Sequence, residues 1–316
     1  MNEICMGLIF FMCSFTYPFM YIATGLDIFW QQTFFLFSDL ILFGFIGFLM
    51  YYIIGEYLKA KKNPQLKVQR SYDALLKKAN YFEEYTPKMD LNRKLLHIIP
   101  VGVILLFYLV GMALDPILSN VAPTPITPLG FAYFFIVTVG YAFVTMFAIE
   151  DILRLIDGHR KFYTTPDWAH KWITSSLKKS EIHTFLSSIP MVLCLMPFLF
   201  GPFPILLSVA LISSFADAAA SLIGNRFGKR TLVTNSKKTY EGLIAGGLVT
   251  FIVVFLTYFV FEPILKLEPF ALFWLSVGTA VVFILIDMFG KTIVDNILNP
   301  LICGGFMVLF VNFLIF

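Results

Sequence analysis

The sequence predicts an all-α, polytopic membrane protein with about nine transmembrane helices. Three observations predict it. Of the 316 residues, 59% are hydrophobic and only 14% charged, whereas soluble domains carry roughly 25% charged residues. Apolar runs of roughly 18–23 residues, long enough to cross a bilayer as a helix, recur along the chain. The loops between them alternate between basic and nearly uncharged, the pattern that orients multi-pass proteins. A mean hydropathy of +0.82 agrees. The net charge of +3 is too small to point to nucleic acid.

The first run, 4–24, follows Met1-Asn-Glu. It has no basic leader and no Ala-x-Ala cleavage site, so a retained membrane helix is expected rather than a signal peptide. A second run covers 33–55. The third to the ninth cover 95–114, 129–149, 183–201, 204–224, 242–261, 270–288 and 296–316. The fifth and sixth are parted by the turn Gly201-Pro202-Phe203-Pro204. The 37 phenylalanines read as lipid-facing bulk. Cys5, Cys13, Cys194 and Cys303 are scattered without a Cys-x-x-Cys pair, and read as small apolar residues with reduced thiols.

Loop 56–94 holds ten Lys and Arg, loop 150–182 holds six, and loop 225–240 holds five. Segments 25–32, 115–128 and 201–204 hold none, and 262–269 holds only Lys266. The basic loops therefore belong in the cytoplasm, with the N-terminus inside and the C-terminus outside. In 68–82, Val68, Tyr72, Leu75, Ala79 and Phe82 recur at helical spacing among lysines, predicting a basic amphipathic helix on an anionic membrane surface. In loop 150–182, Thr165 fits an N-cap with Pro166 after it, and Trp168 and Trp172 fit interfacial anchors. The domain expectation is two N-terminal helices over 1–55, a basic cytoplasmic loop over 56–94, and a seven-helix catalytic membrane domain over 95–316.

The unusual polar residues share the cytoplasmic side of this topology. Asp217 lies inside the sixth span among Ser213, Ser214, Ala218, Ala219, Ala220 and Ser221. A carboxylate in a bilayer costs at least roughly 2.5–3.5 kcal/mol on insertion scales, so an intramembrane acid needs partners or a function. The bland reading is a polar pair inside the bundle; the sharper one is a metal ligand at the floor of a cytoplasmic cavity. Lys237, Lys238 and Glu241 stand in "NSKKTYEG" before the seventh span. Ordinary anchoring by lysines and a dipole-complementing acid account for them as well. Gly242 and Gly246 form a small-xxx-small step that predicts close helix packing. Arg93, Lys94 and His97 open the third span, where snorkelling to headgroups is the plain alternative. Asp287, Asp295 and Asn296 flank the turn between the last two spans. Acids from several helices suit Mg²⁺, which prefers oxygen ligands and combines one or two carboxylates with substrate phosphates; solvated loop acids are the other reading.

Several templates fail. "GNRFGKRT" has three residues between its glycines where a phosphate loop has four, and it follows an apolar helix. There is no HExxH and no GxSxG elbow. His159, His170 and His183 lack metal-ligand spacing.

The ordered set "RKLLH", "EDILRL", "LKKSE", "ADAAASLIGNRFGK", "KKTYEG" and "VDNILNP" resembles the CTP-dependent lipid kinases: dolichol kinase, phytol kinase and the CTP-dependent diacylglycerol kinase. The resemblance covers roughly 91–316. It implies an integral membrane enzyme that transfers the γ-phosphate of CTP to a lipid alcohol with a divalent metal, in the cell membrane or the endoplasmic reticulum. Arg93, Lys94 and His97 fall on the family's RK–H signature, Glu181 on a glutamate before the fifth span, and Asp217 on the membrane aspartate. Gly224 and Arg226 fall on the following G-x-R, Lys238, Glu241 and Gly242 on K-x-x-E-G, and Asp295, Asn296 and Pro300 on DN-x-x-x-P. The acid at Glu241 tilts the resemblance away from phytol kinases. Phe215-Ala216 stands where the family often has Gly or Trp-Gly.

The resemblance implies roles. Asp217, Lys238 and His97 would be catalytic. Arg93, Lys94, Arg226, Lys237, Glu241 and Asn296 would bind CTP. Asp217, Asp295 and Asp287 would hold Mg²⁺, with Asp287 the weaker candidate. The proton acceptor stays open between His97 and a metal-free carboxylate. "SKKTYEG" is also similar to a motif of the phosphatidate cytidylyltransferases, and "IDMFGK" loosely to another, so a CDP-diacylglycerol-type synthase is the alternative. A transporter or structural bundle is the non-enzymatic one; transporters favour midplane sites and inverted repeats, and no repeat is evident here.

Overall fold

A computed structural model describes residues 2–71, 87–160, 188–231, 238–261, 267–289 and 295–315. Among them the regular structure is helical, apart from one antiparallel bridge between Thr231 and Thr239. Most of the expected amphipathic helix over 68–82, the Thr165–Trp172 segment, Glu181 and Lys237 lie outside the described residues.

In chain order the helices are α1 (Asn2–Thr16), α2 (Ile28–Lys62), α3 (Pro64–Gln69), α4 (Pro87–Ala113), α5 (Asp115–Leu118), α6 (Pro128–Arg160) and α7 (Ser188–Leu195). They continue as α8 (Phe203–Leu211), α9 (Asp217–Phe227), α10 (Tyr240–Val260), α11 (Pro269–Phe289), α12 (Asp295–Leu298) and α13 (Gly304–Ile315). Two π-helical turns, Ile212–Ala216 and Asn299–Cys303, join α8 to α9 and α12 to α13.

Among the described residues, seven segments are long and apolar enough to cross a membrane: Ile28–Lys62, Lys94–Ala113, Pro128–Leu153, Phe203–Phe227, Tyr240–Val260, Pro269–Phe289 and Asp295–Phe313. The protein is a multi-pass, all-α membrane protein. Two of the nine expected spans, the first and the fifth, appear as shorter apolar helices at Gly7–Phe19 and Ile189–Phe200. A proline accounts for the first of these. Pro18 lies in the 3₁₀ turn Tyr17–Phe19 that ends α1, and Pro197 in the 3₁₀ turn Met196–Phe200 that ends α7, because proline offers no N–H to continue an α ladder. Residues 183–187 of the fifth expected span lie outside the described residues.

Contacts divide the chain into two compact units, each discontinuous in sequence. The smaller comprises Gln32–Leu96 and Phe134–Ile189. Within it α2 and α6 are joined by a buried 3.0 Å hydrogen bond between the Ser38 and Thr138 hydroxyls, and by contact of the Phe34 and Phe134 rings. At the end of α2, Asn63 caps α3 by accepting the N–H groups of Gln65 and Leu66, and Pro64 occupies the first turn. The buried Glu56 carboxylate then receives Arg70 at 3.0 Å and Lys59 at 2.9 Å.

The larger unit comprises Met1–Gln31, His97–Tyr133 and Pro190–Phe316. Its innermost helix is α8, in which every residue from Phe203 to Ala210 is buried. A helix apolar on all sides has no solvent face, and belongs inside a larger protein. The N-terminal segment is tied in through Thr127, whose hydroxyl donates to the Thr24 carbonyl at 2.8 Å, and through the Trp30 indole, which donates to the Thr124 carbonyl at 2.8 Å.

Helices α9 and α10 pack through small residues. A methyl group on Gly242 would stand 2.5 Å from the Ala220 carbonyl oxygen and 3.1 Å from the Gly224 Cα. A methyl on Gly246 would stand 2.5 Å from the Phe283 ring and 3.0 Å from the Ala220 Cβ. The Gly242–Gly246 step thus seats α10 backbone against backbone on α9, as its spacing predicts. The opposite face of α10 exposes Ile244, Leu248, Ile252, Leu256 and Phe259 at helical intervals, the surface that a lipid solvent accepts. Replacing Gly242 with Ala is expected to lower stability by about 1–3 kcal/mol, since the contacted atom is backbone and must move. Thermal unfolding of the purified protein in detergent measures this.

Candidate functional site

Three polar sequences converge in the larger unit. The first lies on either side of the turn Ile212–Ala216. There the Asp217 N–H bonds the Ile212 carbonyl, five residues back. This wider register shifts the side chains that follow, and single π turns often mark functional positions. Ser213 donates to the Val209 carbonyl at 2.9 Å. The Ser214 hydroxyl donates to the His97 carbonyl. The turn leading to Asp217 is thereby fastened to α4 at His97, which is itself only 1% exposed.

The second sequence is 228–242. Thr239 caps α10 by accepting the Gly242 N–H at 3.2 Å, and the Tyr240 N–H donates to the Arg230 carbonyl at 3.0 Å. The Glu241 carboxylate stands near its own backbone N–H and those of Lys229 and Arg230, and its Oε2 has no hydrogen-bond partner among the described residues. Arg226 is exposed, with its guanidinium 5.4 Å from the centroid of the Phe227 ring.

The third sequence joins α11 to α12. The Lys238 ammonium donates to Asp287 Oδ1 at 2.7 Å, to the Asp287 carbonyl at 3.0 Å and to Asp295 Oδ2 at 3.1 Å. An ammonium has three donors, and here each has an acceptor. The Asp217 carboxylate lies within electrostatic range of Asp295. The two π turns, Ile212–Ala216 and Asn299–Cys303, pack against one another, which brings the start of α9 beside α12. Asn296, next to Asp295, is buried.

Burial depresses the pKa of Lys238, but the carboxylates of Asp295 and Asp287 outweigh it and hold the ammonium above its usual 10.5. Lys238 is therefore charged throughout the neutral range.

Of the residues expected to act together, the structure joins Lys238, Asp287 and Asp295 directly and sets Asp217 near them. Asp287, the weaker metal candidate from the sequence, is a direct partner of Lys238. Lys94 is buried. Arg93 lies in α4, and its side chain is outside the described residues. Asn299 and Ser214 were missed, although Asn299 stands in the quoted "VDNILNP", four residues after Asp295.

Asp217, Asp287 and Asp295 offer the oxygen donors that a magnesium ion prefers. Among the described residues no three His, Cys, Asp or Glu form a group that could hold an ion by themselves. Magnesium commonly takes one or two carboxylates and completes its shell from substrate phosphates and water.

No protein-family model matches the chain, and no curated protein matches it.

Two measurements check this geometry. The folded pKa of Lys238 lies above the unfolded value, so its stabilising contribution is fully present below pH 10.5 and is lost as pH rises through the folded pKa. The melting-temperature gap between wild type and Lys238→Met should stay constant from pH 7 to 9 and narrow above about pH 10.5. Glu241→Ala should speed amide hydrogen exchange at Lys229 and Arg230 by about tenfold, whereas Glu241→Gln, which keeps an acceptor oxygen, should change it less.

Proposed function

We propose that the protein is a membrane phosphotransferase that moves the γ-phosphate of CTP onto a lipid alcohol of the dolichol, polyprenol or diacylglycerol type. The observation that carries the proposal is the Lys238 ammonium held between Asp287 and Asp295 beside Asp217. One cation and two acids sit together at the ends of apolar helices, and Asp217, inside its own span, lies within electrostatic range of Asp295. These residues fall on the motifs that resemble the CTP-dependent lipid kinases. The basic loops put this end of the helices on the cytoplasmic side, where CTP is available.

The chemistry is an in-line displacement. The lipid hydroxyl oxygen bonds to the γ-phosphorus, the bond from that phosphorus to the β,γ-bridging oxygen breaks, and CDP leaves. The hydroxyl proton passes to His97 or to an aspartate that holds no metal. Such a reaction needs positioning and charge neutralisation more than covalent help. Lys238 is already charged, and its donors turn from the aspartates to the phosphate oxygens when the triphosphate enters. Asp217 and Asp295 would hold a magnesium ion, which would supply charge neutralisation at the phosphates. Exposed Arg226, with Lys237, adds cationic contacts to the triphosphate, and Asn296 orients polar groups beside it.

Membranes containing the protein, given γ-labelled CTP with polyprenol, a phytol-like alcohol and diacylglycerol, should place label in a lipid phosphate. Label found only in pyrophosphate would instead indicate attack at the α-phosphate, as in a cytidylyltransferase. Asp217→Asn should lower transfer by roughly 10²–10³-fold, the usual scale for losing one electrostatic stabiliser, without changing the amount of protein inserted. Turnover of that variant near the wild-type rate would remove Asp217 from the mechanism.

A further inference from the structure

Asn299 is only 2% exposed, and its side-chain Oδ1 has no hydrogen-bond partner among the described residues. A buried amide oxygen without a donor is destabilising, and native proteins rarely leave one unmatched. Its neighbours in the chain are apolar: Ile297 is 2% exposed, Cys303 is fully buried and Pro300 has no N–H to offer. This is a single acceptor awaiting a single donor.

Its location identifies the donor. Asn299 follows Asp295 by four residues, so the two share a helical face. It lies about 6 Å further along the rise, deeper in the apolar segment Asp295–Phe313. Its turn packs against Ile212–Ala216, which leads into Asp217. The amide therefore stands deeper along this apolar segment than Asp295. A polyphosphate approaches these carboxylates from water. A lipid alcohol approaches from the bilayer, with its tail in hydrocarbon and one O–H to donate.

We propose that the Asn299 side-chain oxygen receives the hydroxyl of the lipid substrate and holds it below the phosphate site. The hydroxyl donates its hydrogen bond to Oδ1 while it binds, which leaves an oxygen lone pair for the phosphorus. This rests on the phosphotransferase reading above. It makes Asn299 a binding residue for the alcohol and not for the nucleotide.

The test compares Asn299→Val with Asn299→Thr in the purified full-length chain. The two replacements match in shape and differ by one acceptor oxygen. With 1,2-dioctanoylglycerol and a short polyprenol as probes, Asn299→Val should raise the KM for whichever alcohol is turned over by about tenfold, the scale of one lost hydrogen bond. The KM for CTP should stay within about twofold, and Asn299→Thr should recover most of the loss. A parallel rise in both KM values, or equal behaviour of the Val and Thr variants, would overturn the assignment. Unchanged alcohol KM in Asn299→Val with an active wild type would overturn it too, leaving the kinase reading intact. Absence of transfer by the wild type to either probe would end both.

Discussion

The site depends on one ammonium group. Lys238 precedes α10, Asp287 closes α11 and Asp295 opens α12, and the three meet at distances of 2.7–3.1 Å. Partly buried charges are tolerated at the edge of an apolar bundle only when they are paired and hydrogen-bonded. Lys238 satisfies this for two aspartates at once, and also takes the Asp287 carbonyl.

Small residues make the convergence possible. Gly242 stands against the Ala220 carbonyl and Gly224 against Thr239 Oγ1, so α9 and α10 approach until their backbones nearly touch. Bulkier residues would move Lys238 away from Asp217. The packed π turns do the same work on the other side. Each inserts a wider ring of backbone beside an acid: Ile212–Ala216 before Asp217, and Asn299–Cys303 after Asp295. Ser214 fixes the first of these turns to the His97 carbonyl. In a bilayer such irregular backbone survives only where protein surrounds it, and the residues of both turns are largely buried.

Much of the fold was legible because the bilayer imposes a simple rule on composition. Long apolar runs became helices, and the Gly242–Gly246 spacing became a helix contact. The first expected span came out shorter because Pro18 interrupts it, an effect that a count of apolar residues does not weigh. The site was legible in part. Lys238, Asp287 and Asp295 stood out as charges beside apolar runs. Their partners did not. Sequence spacing would pair Lys238 with Glu241, three residues on. Instead Lys238 precedes the helix and reaches across to α11 and α12.

The sequence by itself determined that this chain lives in a membrane as helices, because burying some twenty apolar residues at a time leaves the backbone no other way to satisfy its hydrogen bonds there. It also determined which few residues are costly enough to matter. Only the tertiary structure decided which acid meets which base, where the π turns fall and that the Asn299 amide is left without a donor. Those outcomes depend on contacts between segments far apart in the chain, such as Lys238 with Asp287 at a separation of 49 and with Asp295 at 57, and no local pattern encodes them.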